Sequence, residues 1–361
     1  MQRLPALLAL GAFACATGPA PTPPGAPATP TASPPPSVAV APTATESAPP
    51  VASGSAAAPA PVAPDRFGSG VFPPANVTPP EERSAQPGDG KWVRMGDAKK
   101  GEVAAEDPAV LYRATVHPHR VSRWKSVTAV AIDLRHASLH LVAGTDDPES
   151  DSVPKEERTG LVSPEHVPDL VAAFNGGWQT RHGHWGMMAD GRAYVPPREE
   201  GCTIAIYPDG SVRIGSWPEL AGSAGDMVAY RQTPPCLLEK GALHPKLESG
   251  VEAPWGGQNP KIKTRRRSAI AIDASGRVLM YGFGEEANAR ELAQGLKSLG
   301  ASAAAELDIN YYWTRFLVFG KPKPDAPPEV TSTLVKMQHR RDGYVSKPEP
   351  RDFFYVKRER R

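Results

Sequence analysis

Proline sets the first limit on this chain, because half of its 42 prolines fall before Lys91, in the first quarter of 361 residues. Each proline fixes φ and removes an amide donor, so so dense a run suits neither a helix interior nor a central strand. From Gln2 to Ala63 the only charged side chains are Arg3 and Glu46, and after Phe13 large apolar side chains are nearly absent. A stretch of this kind buries too little surface to offset its ordering entropy. Residues 16–90 therefore read as a disordered Pro/Ala-rich tether. What remains, 91–361, is one domain's worth of chain, which excludes two large domains.

Residues 1–15 have the form of an export signal, with Arg3 as the charged region, Leu4 to Phe13 as the apolar one and Ala12-Phe13-Ala14 as a small-residue cleavage site. The apolar run is too short to span a bilayer. Cleavage before Cys15 would expose that cysteine at the new N-terminus, the arrangement bacterial lipoproteins use for acylation, although Phe13 and Ala12 depart from the usual box. The expectation is an exported protein held at a cell-envelope membrane through Cys15, with plain secretion as the alternative. Lys plus Arg number 41 against 39 Asp plus Glu, a net charge of +2 that excludes nucleic acid as the global partner. Cys202 and Cys236 remain in the domain; in an oxidising compartment such a pair reads as a disulfide, the alternative being two buried thiols.

Strand signals dominate the domain, whose folded part is expected from near Val110. Ser126 to Ile132 is β-branched and apolar, and Ser138 to Val142 alternates. Thr203 to Tyr207 and Ser211 to Ile214 flank Pro208-Asp209-Gly210, and Ser268 to Ile272 with Arg277 to Met280 flank Asp273 to Gly276; both read as hairpins. One helix is well supported, Asn288 to Leu299, with Leu292, Ala293, Leu296 and Leu299 on one face and Gly300 as its stop. Ser163-Pro164-Glu165 starts a second element that Pro168 keeps short. The fold class is α+β, strand-rich mixed sheets flanked by a few helices in a single domain. The basic segment Lys336 to Arg361 contains the β-like Phe353-Phe354-Tyr355-Val356 and is assigned no function.

Three constellations carry potential chemistry. The strand Ala172 to Asn175 runs into Gly176-Gly177-Trp178, where successive glycines let a ligand approach closely and Asn175 offers donors and an acceptor. Arg181, His182 and His184 follow, groups that bind phosphate or move protons. The second is the cluster Lys261 to Arg267 entering a strand, where Arg267 is the guanidinium expected to be held rigid and able to grip phosphate. The third is Ala305 to Asn310, in which alternation puts Glu306, Asp308 and Asn310 on one face, as acid and base partners or as the solvent side of an edge strand. Two His-x-His pairs, His117/His119 and His182/His184, lack a third zinc ligand at a recognisable spacing. No metal or cofactor is assigned.

Taken in order, these segments resemble the phosphodiester glycosidase family. The resemblance rests on Asn175-Gly176-Gly177-Trp178, on Pro235-Cys236-Leu237-Leu238-Glu239-Lys240-Gly241, on Arg267-Ser268-Ala269-Ile270 and on Glu291-Leu292-Ala293 through Leu296, Leu299, Gly300 and Ala301. It covers about 127–320. The family usually closes with Leu-Asp-Gly-Gly-Gly-Ser, whereas this chain reads Leu307-Asp308-Ile309-Asn310-Tyr311-Tyr312-Trp313, keeping the Asp and either losing the glycine cradle or rebuilding it with Asn310 and Arg315. The resemblance implies hydrolysis of a sugar-1-phosphodiester on an envelope or extracellular glycan, with Asp308 and Glu306 at the anomeric centre, Arg267 on the phosphate, and Asn175, Gly176 and Gly177 orienting the substrate. Arg181 or His184 would assist, and Tyr311 to Trp313 would either stack on a sugar or pack in the core. The alternative is a non-catalytic glycan-binding lipoprotein that keeps the cleft without the chemistry.

Overall fold

The computed structural model describes Phe67 and residues 70–95, 109–257, 265–321, 326–335 and 343–359. The export signal, Cys15 and the tether up to residue 66 lie outside these residues, as do Lys261 and Lys263. The strands begin with β1 Val93–Arg94, β2 Leu111–Val116, β3 Val127–Asp133, β4 Ala137–Val142, β5 Leu170–Asn175 and β6 Met187–Ala189. They continue with β7 Arg192–Val195, β8 Cys202–Ile206, β9 Val212–Ser216, β10 Ala229–Thr233, β11 Leu238–Glu239 and β12 Ala242–Leu243. The last six are β13 Arg265–Asp273, β14 Val278–Ala287, β15 Ala301–Glu306, β16 Phe316–Gly320, β17 Glu329–Thr333 and β18 Phe353–Arg358.

These form an eight-stranded sheet in the order β1-β2-β3-β14-β13-β15-β11-β12 and two five-stranded sheets, β7-β6-β10-β8-β9 and β17-β16-β5-β18-β4. The fold is α+β, as the sequence implied. Both hairpins form where the turn residues put them: Gly210 and Gly276 take φ of 78° and 73°, values that favour glycine. The helix Ala289–Ser298 starts at a capping box in which Asn288 accepts from the Glu291 amide and Glu291 from the Asn288 amide, and Gly300 follows at φ 101°.

The main core lies among the three sheets, where Ile270, Leu279 and Ala305 of the large sheet meet Phe174, Phe316 and Phe354 of one small sheet and Ile204 and Ile214 of the other. The opposite face of the large sheet packs Ala269, Ala271 and Ala304 against Leu292 and Leu296 of the helix. These two faces decide which side chains can meet in a site. Cys202 and Cys236 are joined by a disulfide with Cα atoms 4.6 Å apart.

Residues 70–90, read from sequence as part of the tether, are built onto the domain. Phe72 and Val77 pack beside Trp92, Trp92 donates its amide to Asn76 Oδ1 at 2.9 Å, and Gly90 donates to Thr115 O at 2.8 Å. Asp89 stands 2.8 Å from His117 Nδ1, and Arg277 donates to Gly70 O at 2.5 Å. Prolines that bar a helix or central strand still permit an extended chain laid on a surface. Domain structure thus begins before both Lys91 and Val110.

Candidate active site

Strand β5 delivers Asn175 to the end of the inter-sheet core, 5% exposed. Its amide nitrogen donates to Ser268 Oγ at 3.0 Å and Gly176 O at 3.1 Å, and its Oδ1 accepts from Tyr281 OH at 3.0 Å and the Arg315 amide at 3.1 Å. Both donors and both acceptor positions are therefore used inside the protein. Asn175 pins β5 to β13, β14 and the entry to β16, a positioning task rather than a ligand contact.

The two glycines make room for charge. The Gly176 amide donates to Asp352 O at 3.0 Å and the Gly177 amide to Asp352 Oδ2 at 2.9 Å. A Cβ on Gly176 would lie 2.0 Å from Asp352 Oδ2, and one on Gly177 2.8 Å from the Arg231 guanidinium carbon. Close approach is what these positions need, but the approaching group is the Asp352 carboxylate with its ion-pair partner Arg231, not a ligand. That pair is fully enclosed, with Arg231 Nε 2.9 Å from Asp352 Oδ2.

Asp308 follows β15 and turns into a pocket that it shares with Gly176, Gly177, Arg351, Arg315 and Trp313. The pocket is narrow, with about 10 Å³ of enclosed space, roughly the room of one water. Asp308 Oδ1 accepts from the Asn310 amide at 3.1 Å, while Oδ2 is buried against the Arg351 guanidinium in an ion pair that meets no hydrogen-bond geometry. Burial pushes the Asp308 carboxyl above the usual Asp range, with Arg351 acting in the opposite direction. Arg351 also donates to Gly177 O at 3.1 Å and lies over the Trp313 ring at 5.4 Å. Arg315 donates to Tyr344 OH at 2.6 Å and pairs with Glu349. Burial works against its charge, but Tyr344 and Glu349 outweigh it and hold Arg315 above its ordinary value. The result is a carboxyl of raised basicity against the Arg351 guanidinium, with Arg315, held by Tyr344 and Glu349, on the same pocket lining, an arrangement that suits an anionic substrate that needs a proton moved.

Of the residues singled out from sequence, Asn175, Gly176, Gly177 and Asp308 meet in this pocket and Arg267 and Glu306 do not. Arg267 is in step with Ala269 and Ala271, on the helix side of the large sheet, whereas Ser268 faces Asn175. Its guanidinium is 1% exposed and contacts Glu306 Oε1 at 2.5 Å, Trp255 O at 2.7 Å and Ala287 O at 3.1 Å. It is committed to the fold and does not reach the pocket to hold phosphate. Glu306 is equally enclosed, and burial, opposed by Arg267, raises its carboxyl to about 7. The expected common face of Glu306, Asp308 and Asn310 fails because β15 ends at Glu306 and the chain turns.

Asn310 is exposed and shapes that turn, accepting from the Tyr312 amide at 2.9 Å. Arg181 and His184 are exposed and outside the pocket lining; Arg181 donates to Gln179 Oε1 at 3.0 Å. His119 Nδ1 accepts from the Val121 and Ser122 amides, and among the described residues no three His, Cys, Asp or Glu side chains gather as metal ligands.

The groups that sequence reasoning passed over are Arg351 and Asp352, in the segment assigned no function. They immediately precede β18, which pairs with β5 on one side and β4 on the other. The signal present was a charged pair directly before an apolar β run. Its placement depended on pairing across nearly half the chain.

Residues 168–308 match the protein-family model described as phosphodiester glycosidase, a stretch that includes Asn175 and Asp308 and stops short of Arg315 and Arg351. No curated protein matches by sequence. Among solved structures, the chain is similar to the catalytic domain of zebrafish N-acetylglucosamine-1-phosphodiester alpha-N-acetylglucosaminidase, auto-inhibited by its pro-peptide, at 16% identity and a TM-score of 0.45, covering 72% of this chain and 86% of that one. A hypothetical protein from Synechocystis matches at 13% identity and 0.40, covering 71% and 65%, and a putative exported protein from Burkholderia pseudomallei at 10% and 0.39, covering 64% and 74%.

Proposed function

From the phosphodiester glycosidase match over residues 168–308, we propose that this chain is a hydrolase that cleaves the bond between a sugar's anomeric carbon and a phosphodiester oxygen. The observation that carries the reading is the pocket itself, where the buried Asp308 carboxyl stands against Arg351 with Arg315 close by. A substrate phosphate arriving at the mouth of this pocket competes with Asp308 for Arg351. As Arg351 turns to the phosphate, Asp308 loses its counter-charge and becomes a stronger base. Asp308 then takes a proton from water as the water oxygen bonds to the anomeric carbon. The carbon–oxygen bond breaks with its electron pair left on the phosphate oxygen, giving a free sugar and a phosphate monoester. A phosphate is a good enough leaving group that proton removal from water is the more demanding half of the task.

Replacing Asp308 by Asn tests the assignment: the variant is expected to keep its fold and to bind a sugar-1-phosphodiester while releasing no free sugar, and undiminished release would overturn it. The rival, a glycan-binding protein without catalysis, draws support from the Asp308–Arg351 ion pair and from the aromatic turn that stands where the family has glycines. Binding of the substrate by the unaltered protein without hydrolysis would favour that rival. Export and anchoring through Cys15 complete the proposal, placing the reaction on an envelope or extracellular glycan; Cys15→Ser should move the protein from the membrane to the soluble fraction.

A further inference from the structure

The enclosed space of the pocket is about 10 Å³, on the measure by which a single water needs roughly 10–15 Å³. It cannot enclose a sugar, so the body of any substrate must lie on its rim. Trp313, half-buried, lines the pocket, and next to it in the chain Tyr312 and Tyr311 are 58% and 43% exposed. They are the only exposed large aromatic side chains among the described residues besides Trp124.

The turn that carries them is tied by hydrogen bonds. Asn310 accepts from the amides of Trp313 and Thr314 and from Thr314 Oγ1, and the Tyr312 amide donates to Asn310 Oδ1. The Arg266 guanidinium, itself paired with Glu285, sits 3.8 Å from the Tyr311 ring centroid and donates to Tyr311 O, and Tyr312 meets Tyr311 edge to face at 5.8 Å. Rings held in place from behind lose little side-chain freedom when a ligand covers them. The same turn holds Asp308 through the Asn310 amide, so shelf and carboxyl belong to one hydrogen-bonded turn.

We propose that Tyr311, Tyr312 and Trp313 form a stacking shelf for the apolar faces of successive sugar rings, making the substrate an oligo- or polysaccharide that carries the phosphodiester rather than a single sugar-1-phosphodiester. The cleavage step rests on the reading above; the shelf as a glycan site does not. The test titrates the full chain and its Tyr312→Ala variant with malto-, cello- and chitohexaose and the matching monosaccharides, reading Kd from tryptophan fluorescence. At least one hexasaccharide should bind more tightly than its monosaccharide, and the variant should lose about tenfold of that preference, in the range of one aromatic contact. Absence of binding by every hexasaccharide, or a preference that Tyr312→Ala leaves unchanged, overturns the shelf. Tyr312-dependent hexasaccharide binding by a protein that hydrolyses no phosphodiester would sink the catalytic reading and leave the shelf standing.

Discussion

Glu306 and Asp308 stand two residues apart and burial lifts both above the usual carboxylate range, yet they face different partners, Arg267 in the helix-side core and Arg351 at the pocket. Their titrations should separate in two experiments. Native Glu306 holds its proton to about 7 against an ordinary 4.5, so between those values the folded chain binds a proton that the unfolded chain releases. Its contribution to stability is full below 4.5 and is lost as the pH rises through 7, and Glu306→Gln should flatten the denaturation midpoint across that window. Asp308 should appear instead in turnover, as a rate that rises with pH through a midpoint above the ordinary 3.8. Arg267→Ala would strand a buried carboxyl and should cost about 3–5 kcal/mol of stability. Arg351→Ala, which takes the counter-charge from the buried Asp308, should also lower stability and in addition raise KM for a phosphodiester. Misreading Arg267 from sequence was a matter of one position: Ser268 faces Asn175, so its neighbour must face away.

Strand β18 is the element that completes the site, because it brings Arg351 and Asp352 beside Gly176 and Gly177. Its docking leaves no space for a Cβ at Gly176, so Gly176→Ala should break into the Asp352–Arg231 pair and cost roughly 3 kcal/mol or more, measurable by denaturant unfolding. Cys236→Ser should cost about 2–4 kcal/mol by freeing the loop back to Cys202. Hairpins and the long helix were legible because their determinants are local: alternation with Gly210 and Gly276 at the turns, and Asn288 with Glu291 at the cap. Asn175 and Asp308 were legible as motif residues. The pairing of β18 with β5 was not, since nothing local to Phe353–Arg358 names its partner, and with it went the pocket's main cation.

On the scale of the whole molecule, part of the proline-rich N-terminal region belongs to the domain. Its later part, residues 70–90, packs on the domain through Phe72, Val77 and the Asp89–His117 contact. Removing residues 1–90 should lower the unfolding midpoint, which thermal unfolding of the truncated and full-length proteins would establish. What the assembled molecule does is decided by which bond water attacks. Turnover of a sugar-1-phosphodiester in ¹⁸O-water, with the phosphate product weighed by mass spectrometry, reads this directly. Attack at the anomeric carbon, with Asp308 as base and Arg351 on the phosphate, predicts a phosphate monoester free of ¹⁸O and no product from Asp308→Asn; ¹⁸O in the phosphate, or no turnover by the unaltered protein, would contradict it.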